Sequence, residues 1–455
     1  MKRACLAVAF LAASLSPGSA QAAEPTFSGE VAAILYENCA VCHREGASAP
    51  FKLTSYEDAR KRGRLIQAVT AGGYMPPWHA EEGWGQFRNE RRLTDQQIAT
   101  LARWVDAGMP EGDPEQTPEP PQFASGWELG EPDLVVEMEQ GYVVPAEGAD
   151  IYRNFVAAVP TTEDKWIRAI EFRPGARAVM HHSLFKADTS GEARKLDAKD
   201  DEPGYSGMGG GVRGLIDLSG WAVGGNARVF PAESPLKLPA GSDFIFESHF
   251  HPSGKEEVER SAVAFYFADK PATRPSLTIQ LPPLFGAGAG LDIPAGDSDF
   301  WVRESFTLPA AVDLYSVTPH AHYIGKDFRA WAELPDGQKV KLIRVPDWDF
   351  AWQNMYVYSS PVRLPEGATI HAEIQYDNSA SNPRNPHSPP QRITWGEAST
   401  QEMAAITFHA LPADNADESV IEAAFRELRR KHGKQAREQA ESRKRTIQSG
   451  TTEDE

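Results

Sequence analysis

Cysteine is almost missing from this chain, with three in 455 residues, at positions 5, 39 and 42. So few thiols exclude a disulfide framework. Positive charge is short too. Lys and Arg number 46 against 64 Asp and Glu, a formal charge of −18, and the want of a basic footprint excludes a nucleic-acid partner. Long apolar runs are absent; the one stretch, Ala4 to Ser16, is too short for a permanent bilayer span. With 41% hydrophobic and 24% charged residues, the chain is neither disordered nor collagenous. Its length predicts roughly two to four domains. What it has is histidine, 12 of them, half in three tight groups.

Residues 1–22 read as a secretory leader. Lys2 and Arg3 form a positive start, an apolar run follows, and Ala20-Gln21-Ala22 is a small-residue cleavage site. Cys5 precedes the run and leaves with it. Losing Lys2 and Arg3 takes the charge from −18 to −20. The expectation is a periplasmic or secreted protein with no integral membrane segment after leader removal, keeping only Cys39 and Cys42.

Those two lie in Cys39-Ala-Val-Cys42-His43. The spacing lets two thiols form thioethers with haem vinyl groups while the next His ligates iron. A redox dithiol would want a βαβ context, and a zinc site two further ligands; neither is present. One covalent c-type haem is expected. Met75, in a Gly- and Pro-rich stretch ending Pro76-Pro77-Trp78, is the candidate sixth ligand, with Met109 and His79 as rivals and a core Met as the bland alternative. Met109 follows a helix read over Asp95 to Ala107, capped by Thr94, and is assigned to packing. Residues 24–113 as a whole resemble a small, all-α cytochrome c domain.

Residues 114–133 are proline-rich and acidic and read as a linker. Beyond them come short alternating runs, such as Trp166 to Phe172 and Asp243 to His249, separated by Gly, Pro and Asp. Such runs predict antiparallel β-sandwiches, divided near residue 270 into 134–270 and 271–415. The glycine-rich loop from Gly204 to Gly214 lacks the Lys-Ser/Thr of a phosphate site and reads as mobile. Residues 416–455 are charged and helix-prone. There the stripe Ile421, Phe425, Leu428 predicts one short docked helix and a solvated tail.

The histidine groups are His181-His182, His249-Phe250-His251 and His320-Ala321-His322, while His371 and His409 stand alone. On a strand, residues i and i+2 share a face, so each His-x-His offers two imidazoles to one metal. Adjacent His181 and His182 would diverge unless a bulge re-aims one. Imidazole alone suits several metals, and a thioether tips the choice to copper.

The segment from about 135 to 412 resembles the copper type II, ascorbate-dependent monooxygenases, the family of dopamine β-hydroxylase and peptidylglycine α-hydroxylating monooxygenase. The matching stretches are Met180 to Ser183, Gly220 to Gly225, Leu238 to Pro252, Pro319 to Gly325 and Gly396 to Met403. The resemblance implies two jelly-roll-like β-sandwiches and two copper ions. One copper, for electron transfer, maps onto His181, His182 and His249. The other, catalytic, maps onto His320, His322 and Met403. Same-face geometry would instead pair His249 with His251, so His251 is the doubtful member.

The resemblance further implies hydroxylation of a C–H bond of a small organic substrate by O2, with the haem relaying electrons and an external reductant or redox protein feeding it. Thr318 stands where the peptide-amidating members carry an Arg for a substrate carboxylate, which argues against peptide amidation. Tyr323 and Tyr376 read as packing, and Asp377-Asn378-Ser379 as an Asx-stabilised turn. The rival reading is a periplasmic haem and copper protein that transfers electrons or holds copper without oxygenase activity. A reductase of nitrogen or sulfur compounds is disfavoured by the context of Met403.

Overall fold

The computed structural model describes residues 24–449, apart from 46–48, 123–125, 208, 223–224 and 226. The leader read in residues 1–22, Cys5 included, lies outside the described residues. The chain divides into two units: Met1–Pro76 with Arg92–Pro121, and Pro77–Arg91 with Gln122–Glu455.

The first unit is helical. A single turn, Phe27–Val31, runs into α1 (Ala32–Asn38), followed by α2 (Tyr56–Ala71) and α3 (Asp95–Asp106). A reciprocal cap starts α3: the Thr94 hydroxyl accepts from the Gln97 amide while the Gln97 side chain accepts from the Thr94 amide. Leu101 and Trp104, on the inner face of α3, pack with Phe27, Leu35 and Ile66. Met109, in the left-handed region at φ 62°, lays its thioether against Gly63, where a Cβ would stand. It is a packing residue, as read.

The second unit is mostly antiparallel β-sheet. In its first half, one sheet joins Leu134–Glu137, Ala262–Phe267, Lys165–Arg173 and the short Arg228–Val229, with Leu236–Leu238 also on Lys165–Arg173. The facing sheet runs Tyr205–Ser206, Ile151–Ala158, Asp243–Phe250, Met180–Asp188, Ile216–Ala222. Phe172, Phe185, Phe244, Phe246 and Phe265 fill the space between. In the second half, Leu277–Leu281, Ala405–Pro412, Val312–His320 and Tyr356–Leu364 form one sheet. Phe300–Thr307, Thr369–Tyr376, Gly325–Glu333 and Lys339–Val345 form the other. Along Thr369–Tyr376 burial alternates residue by residue, the period of a strand with one face inward.

Four expectations need correction. Residues 77–91, read as part of the cytochrome stretch, belong to the β-rich unit. Phe87 bridges Tyr358 and stacks on it at 5.1 Å, and the Glu81 and Arg88 amides donate to Arg344 and Val357 carbonyls, each at 2.8 Å. The end of the acidic linker is docked as well, with Trp127 under the Arg173 guanidinium and the Glu171 carboxylate accepting from the Glu128 amide at 2.6 Å.

The C-terminal helix is long, not short: α4 spans Glu418–Ser449. Its contact reaches past the apolar stripe, because buried His432 lies 2.5 Å from Glu304 and Gly288 fits against the His432 carbonyl. The glycine-rich loop is tethered, its Gly209 amide donating to Glu247 at 2.6 Å and Tyr205 donating to the Gly210 carbonyl at 2.5 Å. Among the described residues no helix is long and apolar enough to cross a membrane.

Candidate metal centres

His182 and His249 are directly paired across neighbouring strands, His249 opposite His182 and Phe250 opposite Met180. Residue 181 is therefore the extra residue of a β-bulge, which turns two adjacent histidines toward one point. Nδ1 of His181 lies 3.0 Å from Nδ1 of His182. With His249 they form a group whose ligand atoms all lie within 4.8 Å of one another.

Two of the three rings are contacted on their other side. His181 Nε2–H donates to the Phe350 carbonyl at 3.3 Å. The Asp150 carboxylate lies 3.0 Å from His249 Nε2 as a charge contact, and neither ring nitrogen of His249, both buried, has a hydrogen-bond partner. A carboxylate on Nε2 favours the proton there and leaves the Nδ1 lone pair for a metal. Burial, then the neighbouring imidazoles, push His181 down to about 4 and hold His182 well below its ordinary value, so both are neutral at pH 7 and available as ligands. A buried nitrogen with no partner beside two converging Nδ1 atoms suits copper held by imidazole.

His251 is turned away. It is 63% exposed and its Nδ1 lies 2.7 Å from Asp150. The i, i+2 argument for His251 fails here because the bulge makes His181 the third member. Asp150 is kept ionised against the cost of its burial by contacts with His249, His251 and Ser399, which hold it below the ordinary carboxylate range.

His320 and His322 lie at the end of Val312–His320 and just beyond, their rings 5.5 Å apart and perpendicular. His320 Nδ1 is 2.6 Å from Gln353 Oε1, and His322 Nδ1 is 3.0 Å from the Gln401 carbonyl. Both donate through Nδ1–H, so each presents the Nε2 lone pair. Burial lowers both, His322 to about 3. Register places Ala405 opposite His320, so Met403 enters two residues away.

Glu402 fixes this corner. Fully buried, it accepts from the amides of His322 at 2.7 Å and Ile324 at 2.9 Å. Burial pushes its carboxyl up to about 8 despite those donors. Met403 is 6% exposed, and its carbonyl accepts from the Tyr376 hydroxyl at 2.6 Å. Tyr376 is thus a buried packing residue that also positions Met403. Leu284 and Phe285 both adopt left-handed backbone, at φ 55° and 51°, and set the Phe285 ring 5.5 Å from His320. Each such residue stores about 1–3 kcal/mol of strain, a cost that clusters at working sites.

The two groups share one loop, residues 346–355. Phe350 stacks on His181 at 4.5 Å and lies 5.6 Å from His322, Trp348 Nε1–H donates to the His322 carbonyl at 3.0 Å, and Gln353 holds His320. His371, stacked on Trp331, and His409, stacked on Tyr315, belong to neither group. Asn378 donates to three main-chain carbonyls, of Ile293, Pro294 and Gln391, and is a structural turn residue.

In the helical unit, Cys42 and His43 amides both donate to the Cys39 carbonyl, at 3.1 and 2.8 Å, so one tight turn gathers the motif. His43 Nδ1–H donates to the Phe51 carbonyl at 3.0 Å and leaves Nε2 free, as an iron ligand requires. Burial, with the charge of Cys42, pushes the Cys39 thiol up to about 12, the reverse of a redox dithiol. Both thiols are unpaired and the set suits haem attachment. Met75 is half-buried. His79 lies in the β-rich unit, where burial holds it below its ordinary value.

Asp150, Gln353, Glu402, Trp348 and Phe350 are the residues that sequence reasoning missed. The sequence matches no family model and no curated protein. Among solved structures, PNGF-II is similar at a TM-score of 0.25 and 11% identity, over 61% of this chain and 65% of that one, so this chain spans less than two thirds of that protein. N-glycanase F (PNGase F) is similar at 0.24 and 7% identity, over 60% of this chain and 95% of that one. Likenesses this low carry no argument about function.

Proposed function

We propose that this protein is an exported, copper-dependent monooxygenase that hydroxylates a C–H bond of a small organic substrate with O2, receiving electrons through a covalent c-type haem. The observation that carries the reading is the trio His181, His182 and His249, three imidazoles converging on one point in a chain that also holds a second imidazole pair, with buried Met403 two residues from the position opposite His320. Copper, when bound, would supply the chemistry of O2 reduction and C–H oxidation. The reaction consumes two electrons and two protons besides the substrate, and releases water.

The chain's own residues do the arranging. Gln353 and the Gln401 carbonyl fix the tautomers of His320 and His322, and Glu402, the residue before Met403, accepts from the His322 amide. His181, His182 and His249 would hold the electron-transfer copper, and His320, His322 and Met403 the catalytic one. Cys39, Cys42 and His43, with Met75, would hold the haem. Thr318 offers no cationic fork, so the substrate is not anchored there by a carboxylate. The remaining partners are O2 and an external reductant or redox protein.

The second reading, a haem and copper protein without oxygenase activity, keeps the same ligands and forms no product. Purified mature protein is expected to hold two copper ions and one haem. Met403→Ala and His320→Ala should each lose one copper and abolish reductant-dependent O2 uptake coupled to product. Full metal content with no hydroxylated product from any small substrate would favour the second reading.

A further inference from the structure

The outer face of the sheet that holds Gly325–Glu333 and Lys339–Val345 gathers aromatic and cationic side chains. On the first of these strands Ala330 and Ala332 are buried, so Arg329 and Trp331 share the opposite, partly exposed face. On the second, Val340 packs on the core while Lys339 and Lys341 are exposed. Register sets Lys341 opposite Trp331. The arm Pro77–Arg91 adds one more wall. Its Gly85, at φ 84°, sits so close to the Leu342 carbonyl that a Cβ would clash, and Glu81 pairs with Arg344 at 2.9 Å. Trp84 is thereby set beside Lys341, whose ammonium lies 5.2 Å from the indole centroid.

These side chains border a cleft of about 300 Å³, lined by Trp84, Arg329, Trp331, Lys339, Lys341 and Glu373. That is the lower end of the range for small-molecule sites, roughly 300–1,000 Å³. The walls are held in place by their own neighbours. Trp331 stacks on His371 at 5.1 Å, and His371 Nδ1 lies 2.8 Å from the Ser305 hydroxyl. Glu373 is paired with Arg329 at 2.7 Å and with Arg303 at 3.1 Å. Lys339 lies 5.8 Å from the Trp331 ring centroid. Among the described residues neither Lys339 nor Lys341 is paired with a carboxylate. In a chain of 64 acidic against 46 basic residues, two lysines that face indoles instead of acids are a local positive charge with nothing opposite it.

We propose that this cleft binds a small aryl carboxylate, its ring against Trp84 and Trp331 and its carboxylate at Lys339 and Lys341. Two indoles suit a flat apolar body, and two ammonium groups suit one anionic end. The Arg329 guanidinium is already engaged by Glu373, so the lysines supply the charge that the ligand meets. Because the indoles and lysines are set in place by strand register and by the arm, little ordering remains to be done on binding. The cleft shares no residue with either histidine group, and the inference is independent of the function proposed above.

The test is isothermal titration calorimetry on the full-length protein at low ionic strength, with 2-naphthoate, uncharged 2-naphthamide and acetate. 2-Naphthoate is expected to bind saturably at one site and to weaken as salt is added, because the lysines are exposed. The amide, which keeps the rings, and acetate, which keeps the charge, are each expected to bind at least about tenfold more weakly. Lys339→Gln combined with Lys341→Gln should weaken 2-naphthoate by about tenfold, to the level of the amide. Trp84→Leu should weaken both naphthyl ligands alike. Lys434→Gln, at an exposed lysine of the C-terminal helix, should bind 2-naphthoate as the wild type does. Equal wild-type affinity for 2-naphthoate and its amide, or undiminished binding in the double-lysine variant, would overturn the proposal. Saturable binding of polygalacturonate with none of 2-naphthoate would overturn it too, and would make this face a docking surface for an acidic polymer.

Discussion

Asp150 touches three side chains at once: His249 at 3.0 Å, His251 at 2.7 Å and Ser399 at 2.8 Å. It therefore selects the ring tautomer of one metal-facing histidine and reaches the loop that carries Met403. Asp150→Asn keeps the shape but removes the charge that favours Nε2–H. Copper affinity at the His181, His182, His249 trio is expected to fall by about 10–100-fold, against no comparable loss in His251→Ala, as read by copper titration. At this scale the ligands were legible and their supports were not. His-x-His spacing marks two imidazoles on one strand face. Nothing local marks Gln353, 33 residues from His320, or Glu402, 80 from the His322 amide it accepts.

Elements were legible where their rules are local. The Thr94 cap and the inward face of α3 follow from neighbouring residues, and Thr94→Ala is expected to destabilise the helical unit by about 0.5–2 kcal/mol in thermal unfolding. The bulge at His181 could be stated only as a condition for convergence, because the extra residue is defined by a partner strand about 70 positions away.

The length of α4 escaped for a related reason. Its apolar stripe ends at Leu428, and what docks the next turn is one polar pair, His432 with Glu304. Burial would raise the Glu304 carboxyl, but hydrogen bonds from His432 and the Ser305 amide hold it below its ordinary 4.5. A carboxylate depressed by folding contributes stability above the unfolded value, and that contribution is lost as pH falls through the lower folded value. Urea unfolding below pH about 4.5 should therefore show an acid-side loss of stability that is reduced in Glu304→Gln.

At the scale of the whole β-rich unit, the two sandwiches are joined by a polar clamp. Arg274, in the connection between them, donates to the Pro412 carbonyl at 2.6 Å and pairs with Asp313 at 2.7 Å and with Glu233 at 3.4 Å. The Thr273 and Arg274 amides add bonds of 2.8 and 3.0 Å to the Glu233 carbonyl. Arg274→Ala is expected to cost about 1.5–3 kcal/mol, seen as a lower midpoint in denaturant without loss of either strand set. Alternation and turn residues made the strands readable, such as Trp166 to Phe172 inside Lys165–Arg173. They could not tell that Trp78 and Phe87, written among the residues around a haem-ligand candidate, spend their burial on Tyr356 and Tyr358.

That threading constrains how such a protein is dissected or inherited. The chain leaves the helical unit at Pro76, lends residues 77–91 to the β-rich one, and returns at Arg92. Cutting at the proline-rich stretch, where a modular fusion would part, strips the larger fragment of its own strap and lays bare the aromatic seat beneath it. Neither half is a cassette that recombination could exchange intact.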